Sequence, residues 1–492
     1  MTEDKGVGLK GWLSGPRSKN AKAEDRAEKL FPVDEHRIAV LPMANISPDP
    51  QDEYFADGLT EELISSISNI TELSVISRTS AMTYKGTGKK VKEIGNELDV
   101  GSILEGSVRK AGKRIRITVQ LIDVRNDKHL WAQTYDREFS DVFAVQSDIA
   151  KQVAAALRIR ILPEETRQLE KKPTNSSEAY SLYLKGRYFW NERTEAGVLK
   201  AIEYFKQATT LDSNFALAYS GIADSYHVLG SYGHIPYLGA FQKQKENALK
   251  AVHFDDSSAE AHTSLAAALG NDYNWEGAEL EFNRAIERNP NYATAHQWYG
   301  RFLLRVGKLG KALREASKAE LLDPMSLHIS VFRGGVYESM KKYDLAEDQL
   351  RKVLEVEPNF LNAHVILSSV LLHQGRYDEA EREGEEVMRL TNNHPTAKGW
   401  LAVGYAFAGR KEEARTILDE LKTFPPETYV AAQPIVYAHV ALGEKEEAIE
   451  LIEKELEGQA DWLPELMSDP LVASIKFEPR VVEVLKKIGL EH

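Results

Sequence analysis

The sequence predicts a two-part fold: an α+β unit with a mixed sheet in the order βαβαβββα, followed by an all-α superhelical solenoid of paired helices. Three observations lead to this prediction. The 492 residues are too many for one compact core. Short apolar runs alternate with helical segments between residues 36 and 162, and a 34-residue period follows from residue 177.

The composition is that of a water-soluble chain with an acidic balance. The chain has 62 Lys and Arg against 75 Asp and Glu, and its net charge of −13 argues against wholesale nucleic-acid binding. No apolar stretch reaches the roughly 18 residues of a membrane span, and charges interrupt every apolar cluster of residues 1–30 where a secretory signal would lie. The absence of cysteine excludes disulfides and thiolate chemistry. We expect a cytoplasmic protein whose residues 1–35 form a disordered lead.

Residues 36–162 carry the α+β pattern. Strands are predicted at 38–43, 73–77, 102–108, 114–123 and 128–135. Helices are predicted at 57–70, 91–98 and 142–160, and the first has Leu59, Leu63, Ile64 and Ile67 on one face. Asp57 is the predicted N-cap of that helix. Turns at Ala111-Gly112 and Asn126-Asp127 join the last three strands into a meander.

Residues 163–176 are charged, contain proline and form a predicted linker, after which a helix-stopping residue recurs every 34 positions. The stops are Asp256, Pro290, Pro324, Pro358, Asn392 and Pro426. A small residue lies twelve positions before each of the last five stops: Ala278, Ala312, Ala346, Ala380 and Ala414. This spacing predicts one helical hairpin per copy, because small residues let two helices approach closely and the stop ends the second helix.

A single hairpin cannot bury its own apolar face, so successive copies must stack into a solenoid. We predict about eight copies over residues 177–460, with an insertion at residues 231–241 in the second copy. Residues 461–492 are predicted to form capping helices that seal the last hairpin.

The 34-residue pattern resembles the tetratricopeptide repeat (TPR) over more than half of the chain. The α+β unit resembles the TolB amino-terminal-like (FlgO-like) domain in several collinear blocks, among them IAVLPMANIS at 38–47, EYFADGLTEELI at 53–64 and LEGSVRKAGKRIRITVQLID at 104–123. The resemblance implies a prokaryotic TPR protein of a kind often labelled adenylate cyclase. Such relatives frequently carry an amino-terminal class III cyclase or winged-helix domain. Residues 1–35 are too few to fold either module, so we expect neither activity.

A TPR solenoid implies a concave wall, lined by the first helix of each hairpin, that usually binds an extended or helical peptide. The repeat register gives the groove candidates Thr263, Gln297, Arg301, Arg305, His328, Asn362 and His373. These mixed side chains do not reproduce the Lys/Asn/Arg clamp that some TPR modules use for a C-terminal carboxylate. We expect a protein or peptide partner in the groove, or a second copy of the chain.

The best local candidate for anion binding is a basic cluster around the Ala111-Gly112 turn. Its members are Arg109, Lys110, Lys113, Arg114 and Arg116. A solvated strand edge, charged to discourage pairing with other chains, is the commoner reason for such a cluster. Both interpretations stay open at this point.

Three other patterns are better explained by structure than by chemistry. His262, His296 and His364 occupy equivalent repeat positions, but stacked hairpins place such positions on the order of 10 Å apart, too far to share one zinc ion. Asp57, Glu61 and Glu62 fit the capping and dipole of a helix start. The segment GTGKK at 86–90 lacks the spacing of a phosphate loop. We therefore predict no catalytic residue, no metal and no cofactor.

The primary hypothesis is a non-enzymatic cytoplasmic scaffold or adaptor that binds a protein through the concave groove of its repeats. The alternative is a regulatory or sensor subunit whose α+β domain binds a small anionic ligand or nucleotide through the basic hairpin. A thermal-shift screen of nucleotides separates the two, because a bound ligand stabilises the folded chain.

Overall fold

The computed structural model describes residues 36–490, apart from 232–234, 236, 425–429, 459, 461 and 468. The predicted disordered lead, residues 1–35, lies outside the described residues. So does part of the predicted insertion at 231–241, although helix Tyr237–Phe254 begins within it.

The amino-terminal unit is a mixed sheet with the strand order β3-β1-β4-β5-β6. Its strands are β1 (Arg37–Val40), β2 (Ala44–Asn45), β3 (Ser74–Val75), β4 (Ser102–Ala111), β5 (Arg114–Asp123) and β6 (Lys128–Glu138). β1 pairs in parallel with β3 and β4, and β4, β5 and β6 form an antiparallel meander. The prediction of an α+β unit with a mixed sheet is confirmed, with the two-residue β2, parallel to β4, as an addition.

Five helices accompany the sheet: α1 (Glu53–Ser68), α2 (Arg78–Met82), α3 (Val91–Leu98), α4 (Val142–Ala156) and α5 (Pro163–Glu170). The predicted apolar face of α1 is buried. The prediction that Asp57 caps α1 is wrong, because the helix begins one turn earlier, at Glu53. Asp57 is instead buried inside α1, with its Oδ1 2.5 Å from Lys85 Nζ.

The repeat region that follows is a series of helical hairpins, eight of them within the described residues. Each hairpin has a helix A and a helix B. In chain order the pairs are Ser177–Trp190 and Glu195–Leu211, Ala216–Ser231 and Tyr237–Phe254, Ala259–Asn271 and Trp275–Arg288, Ala293–Arg305 and Leu309–Leu322, Leu327–Ser339 and Tyr343–Val356, Leu361–His373 and Tyr377–Leu390, Pro395–Phe407 and Lys411–Leu421, and Ala432–Leu442 and Lys445–Glu457. The five small residues of the period are all buried at the start of a helix B. Here the pairs are called repeats 1 to 8.

A repeated polar network holds helix A to helix B in repeats 3, 4 and 6. The Nδ1 atoms of His262, His296 and His364 lie 2.5–2.6 Å from carboxylate oxygens of Glu281, Glu315 and Glu383 in helix B. Each Nε2–H donates to the carbonyl oxygen six residues earlier, at 2.9–3.0 Å. Both nitrogens of each imidazole ring therefore have a partner within the same repeat or in the turn that precedes it. These hydrogen bonds explain the three histidines as structural residues.

The α+β unit docks on a row of equivalent turns between repeats. Asn289 Nδ2 donates to Ser68 Oγ at 2.7 Å, and Asn291 Nδ2 donates to the carbonyl of Leu73 at 2.5 Å. One repeat further on, Asp323 Oδ1 accepts from the backbone and the hydroxyl of Ser80, at 2.9 and 2.5 Å. These turns lie at equivalent positions of successive repeats, 34 residues apart. The α+β unit therefore contacts the same part of each of these repeats.

Residues 163–176, the predicted linker, are structured over Pro163–Glu170. Glu165 Oε1 of this helix accepts from the backbone N–H of Thr71 at 2.8 Å, and Leu169 is buried. Leu169 belongs to one apolar cluster with Leu59 of α1 and with Tyr180 and Leu184 of repeat 1. The α+β unit and the first repeats therefore share a core.

Candidate functional site

The concave face of the solenoid is lined by the A helices, and the chain itself covers part of it. Tyr273 Oη of repeat 3 donates to the carbonyl of Ala460 at 2.9 Å, and Trp275 Nε1 donates to the carbonyl of Ile488 at 2.6 Å. At the other end, Tyr437 Oη of repeat 8 donates to Asp469 Oδ2 at 2.8 Å. Residues after 460 thus span from repeat 8 back to repeat 3.

The carboxy-terminal segment is packed by apolar contact as well as by hydrogen bonds. Its short turns Leu463–Met467 and Pro470–Val472 precede a helix at Pro479–Lys487. Leu471 shares a small apolar cavity with Val365 and Leu372 of repeat 6 and with Val403 of repeat 7. The predicted cap therefore also occupies inner-wall positions of the later repeats.

The α+β unit covers the inner wall at the other end. Arg187 Nε of repeat 1 donates to Glu61 Oε1 at 2.7 Å, and Asn191 Nδ2 donates to Glu61 Oε2 at 2.9 Å. Arg78 Nε lies 3.1 Å from the same carboxylate. Glu61 is thus an interdomain anchor, and the interpretation of Glu61 as part of a helix start is wrong because α1 begins two turns earlier.

Glu62, next to this anchor, has an unusual environment. Burial, and then the neighbouring carboxylates of Glu61 and Glu260, raise the pKa of Glu62 to about 8. The Glu62 carboxyl is therefore largely protonated at neutral pH, which lets it lie against the repeats without a cation of its own.

Three predicted groove residues lie exposed on consecutive repeats in the middle of the wall. Arg301 belongs to repeat 4, His328 to repeat 5 and Asn362 to repeat 6. Gln297, one turn before Arg301, is half-buried. We call the surface formed by Gln297, Arg301, His328 and Asn362 the open segment of the groove.

The remaining groove candidates are engaged within the chain. Thr263 is buried and its hydroxyl donates to the carbonyl of Ala259, so its side chain cannot line an open groove and the assignment of Thr263 is corrected. Arg305 Nη1 donates to Asn271 Oδ1 at 3.2 Å. The ring of His373 stacks on Tyr343 with centroids 5.0 Å apart, and burial lowers the pKa of His373 to about 4.

The open segment is electrostatically positive near Arg301. His328 is an exposed residue whose ring packs edge-on against Phe360, with centroids 5.0 Å apart, and desolvation together with Arg193 and Arg301 lowers its pKa to about 4. The pKa of His227 in repeat 2 is lowered to about 3 by desolvation and then by the charges of Arg301 and Arg305. Both rings are neutral at pH 7 and act as hydrogen-bond donors or acceptors there.

Sequence reasoning missed His227 and Arg193 as neighbours of the groove. His227 follows Asp224 at a helix A position equivalent to Gly270 and Leu304, but the insertion after it shifts the strict 34-residue register. Arg193 lies in the turn between the helices of repeat 1, where its φ of 56° folds the chain back and its guanidinium lies 3.6 Å from the Trp190 ring centroid. No periodic signal marks such a turn residue.

The basic hairpin is largely neutralised by its own unit. Lys110 Nζ lies 3.0 Å from Asp52 Oδ1 and 2.9 Å from Tyr54 Oη. Arg114 and Arg116 each donate to one oxygen of Asp136 on β6, at 2.6 and 2.7 Å. Arg109 and Lys113, the other two members, have exposed side chains. The hairpin thus pairs three of its five cations internally and leaves Arg109 and Lys113 exposed to solvent.

No constellation for metal or membrane chemistry occurs in the part of the chain that the structure describes. Those residues contain no group of three or more His, Asp or Glu side chains placed to hold a metal ion. None of the described helices is both long and apolar enough to cross a bilayer.

Comparison with known proteins identifies the two parts of the chain. Residues 281–314, 336–395 and 371–433 match family models described as tetratricopeptide repeat. Residues 34–152 match a family model described as HilA/YgeH-like transcriptional regulator, second domain. The chain therefore contains TPR repeats, and the α+β unit that precedes them is similar to the second domain of HilA-like regulators. The resemblance of that unit to the TolB amino-terminal-like domain remains a prediction.

Two curated relatives carry names from different functional classes. "Putative adenylate cyclase 3" of Rhizobium meliloti (strain 1021) is 35% identical over 236 residues, which cover 47% of this chain and 40% of that protein. "Transcriptional regulator HilA" of Salmonella typhimurium is 22% identical over 345 residues, which cover 67% of this chain and 59% of that protein. The chain thus spans about half the length of these relatives.

Among solved structures, the Pseudomonas aeruginosa PilF protein matches with 20% sequence identity and a TM-score of 0.34. The match covers 46% of this chain and 98% of that one.

Proposed function

We propose that the protein is a non-enzymatic cytoplasmic interaction protein that binds a protein or peptide partner through the open segment of its TPR groove. The observation that carries the proposal is the exposure of Arg301, His328 and Asn362 on three consecutive A helices. Packed helices lie about 8–10 Å apart, so these side chains span roughly 20 Å. An extended peptide of about six residues covers that length.

The coverage of the groove at both ends supports a short ligand. The α+β unit lies against repeat 1 through Glu61, and the carboxy-terminal segment contacts repeat 3 as well as repeats 6 to 8. A partner that fits this description inserts a short loop or a chain end rather than lying along the whole solenoid.

The proposal is tested by removing one exposed charged side chain from the open segment. The intact chain is incubated with native extract, crosslinked and purified, and partners are quantified by mass spectrometry against the variant Arg301→Ala. The matched control is Arg314→Ala, which removes another exposed arginine, from helix B of the same repeat. We expect a stoichiometric partner, or a second copy of the chain, that is lost with Arg301→Ala and retained with Arg314→Ala. Equal recovery with both variants, or a chain that stays solitary, contradicts the proposal.

A second proposal, a regulatory role for the α+β unit, draws support from the match of residues 34–152 to a domain of transcriptional regulators. In this role the unit senses a small anionic ligand or nucleotide at Arg109 and Lys113, the hairpin cations with exposed side chains. A nucleotide panel in a thermal-shift assay tests it, because a ligand at 100 times its Kd adds about 2.7 kcal/mol of stability. A flat response across the panel contradicts this second role.

A further inference from the structure

Strand β6 (Lys128–Glu138) is an open edge of the sheet. It stands last in the strand order β3-β1-β4-β5-β6 and is 11 residues long. β3, at the opposite edge, has only 2 residues and lies beside the repeats, where Asn291 Nδ2 donates to the carbonyl of Leu73. A long edge strand presents a row of backbone N–H and C=O groups that can pair with another strand.

The pairing with β5 shows which backbone groups of β6 face outward. The N–H of Phe139 donates at 2.7 Å to the carbonyl of Lys113, which lies opposite it when the register of β5 and β6 is continued by one residue. Along an antiparallel ladder, successive residues bond alternately to one side of the strand and to the other. The odd-numbered residues from 131 to 137 therefore bond to β5. The residues whose backbone groups face outward are Ala132, Thr134 and Asp136.

The middle of this edge is uncharged and open to solvent. Ala132 and Thr134 are exposed, and their outward backbone groups have no backbone partner among the described residues. Towards one end, Arg137 Nη1 donates to the outward carbonyl of Asp136 at 3.0 Å. Residues 130–135 contain no charge, proline or glycine, the features that discourage a further strand.

From this edge we propose that β6 pairs antiparallel with β6 of a second copy of the chain, about a twofold axis at Gln133. Gln133 is the midpoint of Lys128–Glu138, so this register overlaps the strands along their whole length. It places Ala132 of each copy opposite Thr134 of the other. Both residues have outward backbone groups, so each of these two pairs exchanges two hydrogen bonds. The two sheets then continue into one.

The side chains of β6 are self-complementary in this register. The pairs that flank the axis are Trp131 with Tyr135 and, at the ends of the strands, Lys128 with Glu138. Aromatic pairs and opposite charges across two strands both stabilise a sheet. Leu130 is the extra residue of a β-bulge, so the regular pairing covers residues 131–135 and the charged ends flank it. Arg114 and Arg116 of β5 add no free charge here, because each is bonded to Asp136.

A cysteine at the axis tests the proposal directly, because the chain contains none. Residues opposite each other in a non-hydrogen-bonded antiparallel pair have Cα atoms about 4.5 Å apart, within the range of a disulfide. We expect Gln133→Cys to give a disulfide-linked dimer on a non-reducing gel. Thr118→Cys, at an exposed position of β5, is the matched control. Its two copies would lie three strand spacings apart, roughly 14 Å, too far for a disulfide.

Sedimentation equilibrium of the intact chain measures the Kd of the dimer and tests the register. The double variant Ala132→Lys with Thr134→Lys places lysine opposite lysine, and we expect it to raise the Kd by at least about tenfold. The double variant Ala132→Lys with Thr134→Glu places lysine opposite glutamate and is expected to retain the dimer. Circular dichroism checks that both variants are folded, as expected for substitutions at exposed positions.

Three results overturn the proposal: a wild-type chain that is monomeric at the highest concentration, a disulfide that forms as readily in Thr118→Cys as in Gln133→Cys, or an equal Kd for the two double variants. A monomer would leave the edge to an extended peptide of another protein. The inference goes beyond the proposed function because it uses the α+β unit instead of the groove. Arg301→Ala is therefore expected to leave the dimer intact. A dimer that Arg301→Ala abolishes and both double variants keep would place the second copy in the groove and overturn the pairing of β6.

Discussion

Asp323 offers the sharpest perturbation of the contact between the α+β unit and the repeats. Its carboxylate is 5% exposed and accepts two hydrogen bonds from Ser80, one from the backbone and one from the hydroxyl. The same hydroxyl accepts from the backbone N–H of Met325 at 2.9 Å. The variant Asp323→Ala therefore removes the acceptor for two buried donors at the interface.

The cost follows from those two bonds. Each buried donor left without an acceptor costs about 1–3 kcal/mol. Burial raises the pKa of Asp323, so the native carboxylate already carries a desolvation cost, and its removal recovers part of the loss. We expect Asp323→Ala to lower the free energy of unfolding by roughly 2–4 kcal/mol.

Urea denaturation measures this loss, and hydrogen exchange of residues 77–83 locates it. The control is Glu357→Ala, at the equivalent turn one repeat later, where the side chain is exposed and bonds only locally, to the backbone N–H of Asn359 at 3.1 Å. That variant is expected to change stability by less than about 0.5 kcal/mol. Equal effects of the two substitutions, or unchanged exchange of residues 77–83 in Asp323→Ala, refute the docking of the α+β unit on this turn.

Two further predictions concern packing and pH. Gly186→Ala is expected to destabilise the chain by about 1–3 kcal/mol, because the new Cβ would lie 2.4 Å from Phe205 Cε1, whereas Gly404→Ala, in open space within a helix, stabilises it by about 0.5–1 kcal/mol. Thermal melts of both variants check the opposite signs, and a shared sign contradicts the packing. Burial, and then Asp469, raise the pKa of Glu338 to about 8 from its ordinary 4.5. Between these two pH values the folded chain keeps a proton that the unfolded chain releases. The free energy of unfolding therefore falls as the pH rises from about 4.5 to about 8. Glu338→Gln reduces that pH dependence in urea titrations at pH 5 and pH 9, and an unaltered profile speaks against the burial.

The repeats could be predicted from sequence because their cause is periodic. Small residues such as Ala278 and Ala312 recur wherever two helices touch, and a stop such as Pro290 recurs wherever a helix B ends. The meander of the sheet could also be predicted, because the alternation of polar and apolar residues along 114–123 indicates which face of β5 is buried.

The parts of the structure that could not be predicted depend on contacts between distant residues. Nothing in the local pattern of Ser80 or Asn291 indicates that they meet partners more than 200 positions away. The carboxy-terminal segment also covers the inner wall through contacts between distant residues, so its position could not be predicted either. Thr263 was misassigned because helical register gives the side of a helix but not what else packs against it.

The ion pairs of the basic hairpin could not be placed from sequence alone. β5 and β6 form an antiparallel pair in which Arg116 lies opposite Asp136, but a register shift between Leu121 and Ile122 moves this pairing by one residue. Continued without that shift, the pairing of Asp123 with Lys128 would place Tyr135 opposite Arg116.

Hydroxyl-radical footprinting of the intact chain, read by mass spectrometry, tests most directly whether the chain covers its own concave face. Trp462, in the carboxy-terminal segment, is 4% exposed, whereas Phe477 in the same segment is 74% exposed. We predict rapid oxidation of Phe477 and protection of Trp462, although an indole is intrinsically the more reactive group. Oxidation of Trp462 at the rate of the urea-unfolded chain would contradict the packing of the segment against the repeats.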